Sequence, residues 1–129
     1  MIVVDASAIL EVLLHTPASE AIVGRIFQEG ETWHAPHLLD LEVAQVLRRY
    51  VASREIGALR GLRALEDLQD MPLTRYPHAP LLFRIWELRA NVTAYDAAYL
   101  ALAETLDCTL LTRDGRLASA PSAAVVEVV

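Results

Sequence analysis

Three β-branched apolar residues, Ile2, Val3 and Val4, stand at the head of the chain and are stopped by an acid, Asp5. The run is too short for a helix and suits a strand buried on both faces. Ser7 follows two residues later, placed to cap a helix continued by Ile9, Leu10, Val12 and Leu13. A strand that feeds a helix so directly is half of a βαβ unit, and open parallel sheets bind ligands at the carboxyl ends of their strands. Asp5 is thus either a turn former, bonded to the backbone near Ser7, or the first member of a site.

The rest of the chain repeats the alternation. Thr16 and Pro17 read as cap and first position of a second helix carrying Ile22, Ile26 and Phe27. A short strand is expected over residues 32–35, and Pro36 opens a helix with a core stripe of Leu39, Val43, Val46, Leu47 and Tyr50. On that helix Glu42 lies at the edge of the stripe, whereas Asp40 points elsewhere. Ile56, Leu59, Leu62, Leu65 and Leu68 then recur every third residue, which spreads leucines around more than half of a helix. Either that helix is buried between two others or it offers a partner surface.

A third strand is expected over residues 72–76, followed by a helix that starts at Pro77 and Pro80 and runs through Leu88. Thr93 and Asp96 have capping-box spacing at the head of an alanine-rich helix. Residues 109–112 form a fourth strand that ends in Arg113-Asp114-Gly115, and residues 124–128 complete the sheet as an edge. Strand, helix, strand throughout predicts an α/β fold with a parallel sheet covered on both faces.

Composition narrows the function. A chain of 129 residues, 54% hydrophobic and 22% charged, is one domain over residues 1–129 with an ordinary core. The longest apolar run, residues 97–103, is too short to cross a bilayer, and the acid at position 5 argues against a secretion signal. The single cysteine, Cys108, fits a reducing cytoplasm and a small core role. A net charge of −6 argues against coating nucleic acid by bulk attraction. All 11 basic residues are Arg, so neither a P-loop nor the usual phosphatase and receiver chemistry with a Lys is available.

Four carboxylates stand apart from the helix surfaces. Asp5 and Asp114 follow strands directly, and Glu42 and Asp96 occupy the first turns of helices. In a parallel sheet those four places share one rim. Four acids in one crevice repel each other unless a cation offsets them, and hard oxygen ligands suit Mg²⁺ or Mn²⁺. The dispersed His15, His34, His37 and His78 offer no zinc spacing. The matching chemistry is metal-dependent phosphodiester hydrolysis. Ser7 and Thr112 would orient a carboxylate or a water, and Arg113 and Arg116 are either phosphate contacts or solubilising charges.

The segments VVDASAIL, LLDLEVAQVLRR, WELRANVTAYDAAYLALAETL and LLTRDGRLA, in this order, resemble a PIN domain and, more closely, the VapC toxin ribonucleases of bacterial toxin–antitoxin pairs. The resemblance implies a three-layer α/β/α sandwich and an Mg²⁺-dependent endoribonuclease that cleaves RNA. It carries the family's acid quartet onto Asp5, Glu42, Asp96 and Asp114, and its supporting hydroxyls onto Ser7 and Thr112. Some PIN nucleases have a further acid three residues after the last, where this chain has Leu117, which bears on a second metal. The resemblance also implies a homodimer and a VapB-like antitoxin that inserts into the site. A rival of another class is a PIN-like module that keeps the acids and binds without turnover; an acid-pocket phosphatase is disfavoured by the missing Lys.

Overall fold

The strand Ile2–Val4 (β1) lies at the middle of a five-stranded sheet in which every pairing is parallel. The structure, a computed structural model, describes residues 1–129. The remaining strands are Trp33–Pro36 (β2), Leu73–Tyr76 (β3), Thr109–Thr112 (β4) and Val126–Val128 (β5), in the order β3-β2-β1-β4-β5. β1 and β2 are buried along their whole lengths, as strands covered on both faces must be.

From β1 the chain steps outward to β2 and β3, then jumps back across β1 to add β4 and β5. Right-handed crossovers in opposite directions put their helices on opposite faces. One layer is built from Ala6–Leu13 (α1), Ser19–Ile26 (α2), Leu38–Ala52 (α3) and Ala58–Asp70 (α4), which pack on one another. The other holds Leu82–Glu87 (α5) and Ala94–Leu106 (α6). This is the three-layer α/β/α sandwich. The reversal of strand order falls between β1 and β4, and a crevice opens there at the carboxyl ends of the strands.

α6 is the most enclosed helix, with every residue from Ala97 to Ala103 buried. Five alanines among its first ten residues let its backbone lie close on β1, β2 and β4. Thr93 caps it by accepting the Asp96 N–H at 3.1 Å, the predicted half of a capping box.

Local differences from the sequence reading have simple causes. Ser7 is not the cap of α1: Asp5 holds the cap position and accepts the Ala8 N–H at 3.0 Å. α2 begins at Ser19, because the Thr16 hydroxyl turns back to Glu11 and no side chain caps the helix. Pro36 ends β2 instead of opening α3, and β5 is shorter than expected, covering Val126–Val128. Asp40 does point away from the crevice, into a two-pronged pair with Arg75 of β3 at 2.7 and 3.0 Å. On α4 the buried residues are Gly61, Ala64 and Leu68, while Leu59 and Leu62 are 62% and 53% exposed. The leucine surplus therefore faces solvent.

Glu104 ties the second helical layer to the C-terminal segment. It accepts from Arg84 of α5 at 2.8 and 3.0 Å, from the Ser122 hydroxyl at 2.6 Å and from the Ala123 N–H at 2.9 Å. The Arg84 guanidinium beside it, helped by those donors, holds its carboxyl down from 4.5 to about 2. A carboxyl depressed in the folded state contributes stability above its unfolded pKa and loses it as pH falls through the folded value. Glu104→Gln should therefore cost about 2 kcal/mol near pH 7. The deficit should shrink between pH 4.5 and about 2, as measured by urea unfolding of both proteins across that range.

Candidate active site at the sheet switch point

Asp5 is the innermost member of the site, only 6% exposed. The parallel register that sets Val4 beside Leu111 brings Asp5 level with Thr112, and the Asp5 N–H donates to the Leu111 carbonyl at 3.2 Å. One carboxylate oxygen accepts from the Ser7 hydroxyl at 2.6 Å and from the Ala8 N–H at 3.0 Å; the other accepts from the fully buried Thr112 hydroxyl. The turn-forming and site-forming readings of Asp5 are thus combined, since capping α1 fixes the carboxylate that faces the crevice. Burial pushes the Asp5 carboxyl up, its three donors pull it back down, and the charge of Asp96 adds to the rise.

The two hydroxyls are themselves anchored. Ser7 Oγ accepts the Arg113 N–H at 2.9 Å, and Thr112 Oγ1 accepts the Asp114 N–H at 2.9 Å. The turn after β4 is therefore stitched to the turn after β1 through the residues that orient Asp5.

Glu42, in the first turns of α3, accepts a 2.6 Å hydrogen bond from the hydroxyl of Tyr99 on α6. Its carboxyl is raised by burial, against the Tyr99 bond, and further by the charges of Asp96 and Asp5. Asp96 is raised by burial and then by the charge of Asp114. The Tyr99 hydroxyl, buried beside Glu42, is pushed far upward and stays protonated as a donor. Sequence reasoning missed Tyr99. The available signal was its place three residues after Asp96, on the same face of α6.

Asp114 behaves differently. It caps the 3-10 turn Gly115–Ser119 and pairs with Arg116, whose Nε and Nη2 reach it at 3.0 and 2.6 Å. The Arg116 guanidinium holds its carboxyl below the usual range. Arg116 is thus paired with Asp114, and Arg113 leans toward Glu11 at 3.7 Å and the Val129 carbonyl.

The sheet thus brings Asp5, Ser7 and Thr112 into direct contact and sets Glu42 and Asp96 within electrostatic reach of them. Asp114 sits at the rim, turned toward Arg116. As folded, no three acidic, His or Cys side chains close around one point as a finished metal cage. The donor set nevertheless fits a hard divalent cation. It is all oxygen, and three of its carboxylates are raised, first by burial and then by the charges of neighbouring acids. His34 is engaged elsewhere, between Thr32 and Tyr76, and Cys108 lies at the opposite end of β4.

A family model described as the PIN domain matches residues 2–122. Ribonuclease VapC9 of Mycobacterium tuberculosis is 48% identical over 117 residues, covering 91% of this chain and 88% of that protein. Ribonuclease VapC1 of the same organism is 48% identical over 120 residues, covering 92% and 90%. Among solved structures, VapBC2 from Rickettsia felis, bound to a DNA fragment from its promoter, superposes with a TM-score of 0.74. It covers 100% of this chain and 99% of that one at 15% identity, a likeness of fold.

Crowded carboxylates have a cost that can be measured without cation. Asp5, Glu42 and Asp96 keep their protons to higher pH in the folded than in the unfolded chain. Stability should therefore fall as pH rises from the ordinary carboxylate range through the raised values. In a chelating buffer at pH 7, Asp96→Asn should melt at a higher temperature than the unaltered protein. The difference should close as pH falls below 3.8, the ordinary value for this side chain. A variant that melts lower at pH 7 would mean that the Asp96 charge is already compensated.

Proposed function

The chain belongs to the PIN-domain family and, within it, to the VapC ribonucleases, and from that premise we propose that it cleaves RNA as the toxin of a toxin–antitoxin pair, with Mg²⁺ as cofactor. The observation that carries the reading is the seat of Asp5: a buried carboxylate held by two hydroxyls at the switch point, with Glu42 and Asp96 raised beside it. Asp5, Glu42, Asp96 and Asp114 are the residues that would hold the cation, with Mn²⁺ an acceptable substitute. A bound divalent cation supplies an acidified water and stabilises charge on the phosphate.

The chain's own residues do the positioning. Ser7 and Thr112 fix both oxygens of Asp5; the first also accepts the Ala8 N–H, so the acceptor site left over is on the oxygen bonded to Thr112. Tyr99 pins one oxygen of Glu42 and leaves the other free. Arg116 is exposed, so its pair with Asp114 is screened by water and readily given up to a stronger cation.

The antitoxin is expected on the α3–α4 flank. A groove of about 480 Å³ there is lined by Ala44, Leu47, Val51, Gly61 and Leu62, an apolar seat for an amphipathic helix. Its α3 residues lie on a different flank from Glu42, so the groove does not run straight to the acid. A partner seated in it reaches the crevice by passing over exposed Leu41. Leu82, Phe83 and Trp86, exposed on α5, offer a separate apolar face for the homodimer.

Cleavage of total RNA should require Mg²⁺ or Mn²⁺, cease on chelation and be absent in Asp5→Asn. A folded protein with no cleavage under any of these conditions would favour a module that binds without turnover. Mn²⁺ at 100 times its dissociation constant should stabilise the protein by about 2.7 kcal/mol, and Asp96→Asn should lose most of that gain.

Leu59→Glu and Leu62→Glu should weaken capture of a co-expressed antitoxin at least tenfold while cleavage by the free protein persists, because both side chains are already in water. Unchanged capture by both variants would move the antitoxin seat elsewhere.

A further inference from the structure

The other flank of α3 carries a second depression, of about 410 Å³, that opens between α3 and the head of α6 and has Glu42 in its wall. Three more of its side chains do nothing for the fold. Tyr95 precedes Asp96 directly, is 65% exposed, stacks on no other ring and spends its hydroxyl on no partner. Gln45 is exposed with both amide atoms unengaged. Arg49, one helical turn beyond Gln45, is exposed and has no carboxylate within ion-pair distance. Leu38, Leu41 and Val46 supply the apolar remainder.

These features occur together beside a crevice that repels phosphodiesters. Four carboxylates cannot attract RNA by themselves, and a net charge of −6 offers no general pull. Beyond a phosphate held at a bound cation, affinity for a strand must come from contacts just outside the acids. An accessible aromatic ring takes the face of any unstacked base, worth about 1–3 kcal/mol per base. A free guanidinium one groove-length away meets a phosphate, and an idle amide can both donate to and accept from a base edge. The volume also suits one nucleoside-sized ligand.

We propose that this depression is a nucleotide subsite for single-stranded RNA. A base next to the scissile phosphate stacks on Tyr95, Gln45 meets its edge, and Arg49 contacts the adjoining phosphate. The inference rests on the ribonuclease reading and deepens it by naming the residues that seat the nucleotide beside the cut.

The test uses the full chain and two measurements. KM and kcat for cleavage of a short single-stranded RNA are compared among the unaltered protein, Tyr95→Ala, Tyr95→Phe and Arg49→Gln. Binding of the same RNA, fluorescently labelled, is followed by anisotropy in an Asp5→Asn background, where cleavage is silent. Tyr95→Ala should weaken binding on the order of tenfold and raise KM with kcat little changed, while Tyr95→Phe stays near the unaltered protein. Arg49→Gln should weaken binding and flatten its salt dependence by roughly one phosphate contact.

Equal binding and KM in Tyr95→Ala, with cleavage intact in the unaltered protein, overturn the subsite alone. If the unaltered protein neither binds nor cuts RNA, the ribonuclease reading falls and takes the subsite with it. A dimer in solution that Tyr95→Ala dissociates, with RNA affinity unchanged per chain, overturns the subsite by assigning the face to a second copy.

Discussion

The carboxylate of Asp5 is the point on which three parts of the molecule converge. It caps α1 through the Ala8 N–H, takes the Ser7 hydroxyl from the same helix and takes the Thr112 hydroxyl from the end of β4. A buried carboxylate without donors would simply hold a proton. Here three donors offset part of the burial cost, although burial still leaves the carboxyl raised. Because Ser7 and Thr112 also receive the backbone of Arg113 and Asp114, the same bonds set the path of the loop that carries the fourth acid. The helix start, the strand register and the site thus share one polar cluster.

Around that cluster, charge is arranged by distance from solvent. Asp5 is buried, Glu42 and Asp96 are half-buried, and Asp114 lies at the rim with an exposed Arg116 across it. The inner acids are raised by burial and by neighbouring acids, and the outer one is lowered by Arg116. A protein of net charge −6 that acts on a polyanion has no general pull of its own to draw it in. The few free arginines therefore matter by position more than by number.

Tyr95 and Tyr99, four residues apart on α6, divide two roles. Tyr99 turns inward and spends its hydroxyl on Glu42; Tyr95 turns outward and spends its ring on nothing in the fold. A helix packed as tightly as α6 leaves little tolerance in the placement of either, since its alanines seat the backbone directly on three strands. The rigid interior of α6 is thereby the ruler between the acids and the surface beside them.

The sequence by itself determined the alternation of strands and helices and the parallel sheet, and it singled out four acids as site candidates. Those follow from local signals: β-branched runs of three or four residues, apolar spacing of 3.6, and acids at strand ends or in first helical turns. The strand over residues 109–112 and the Thr93 cap were legible for the same reason. What local pattern cannot carry is competition between partners distant in sequence. Asp5 displaced Ser7 as the cap because its carboxylate could satisfy α1 and face β4 at once, and Thr112 is 107 residues away. Arg116 took Asp114, and Tyr99 took Glu42, by proximity that only the packed layers create. The exposure of Leu59 and Leu62 was likewise undecidable from their spacing, because α4 packs through its small residues Gly61 and Ala64 and leaves the leucines on either side in water.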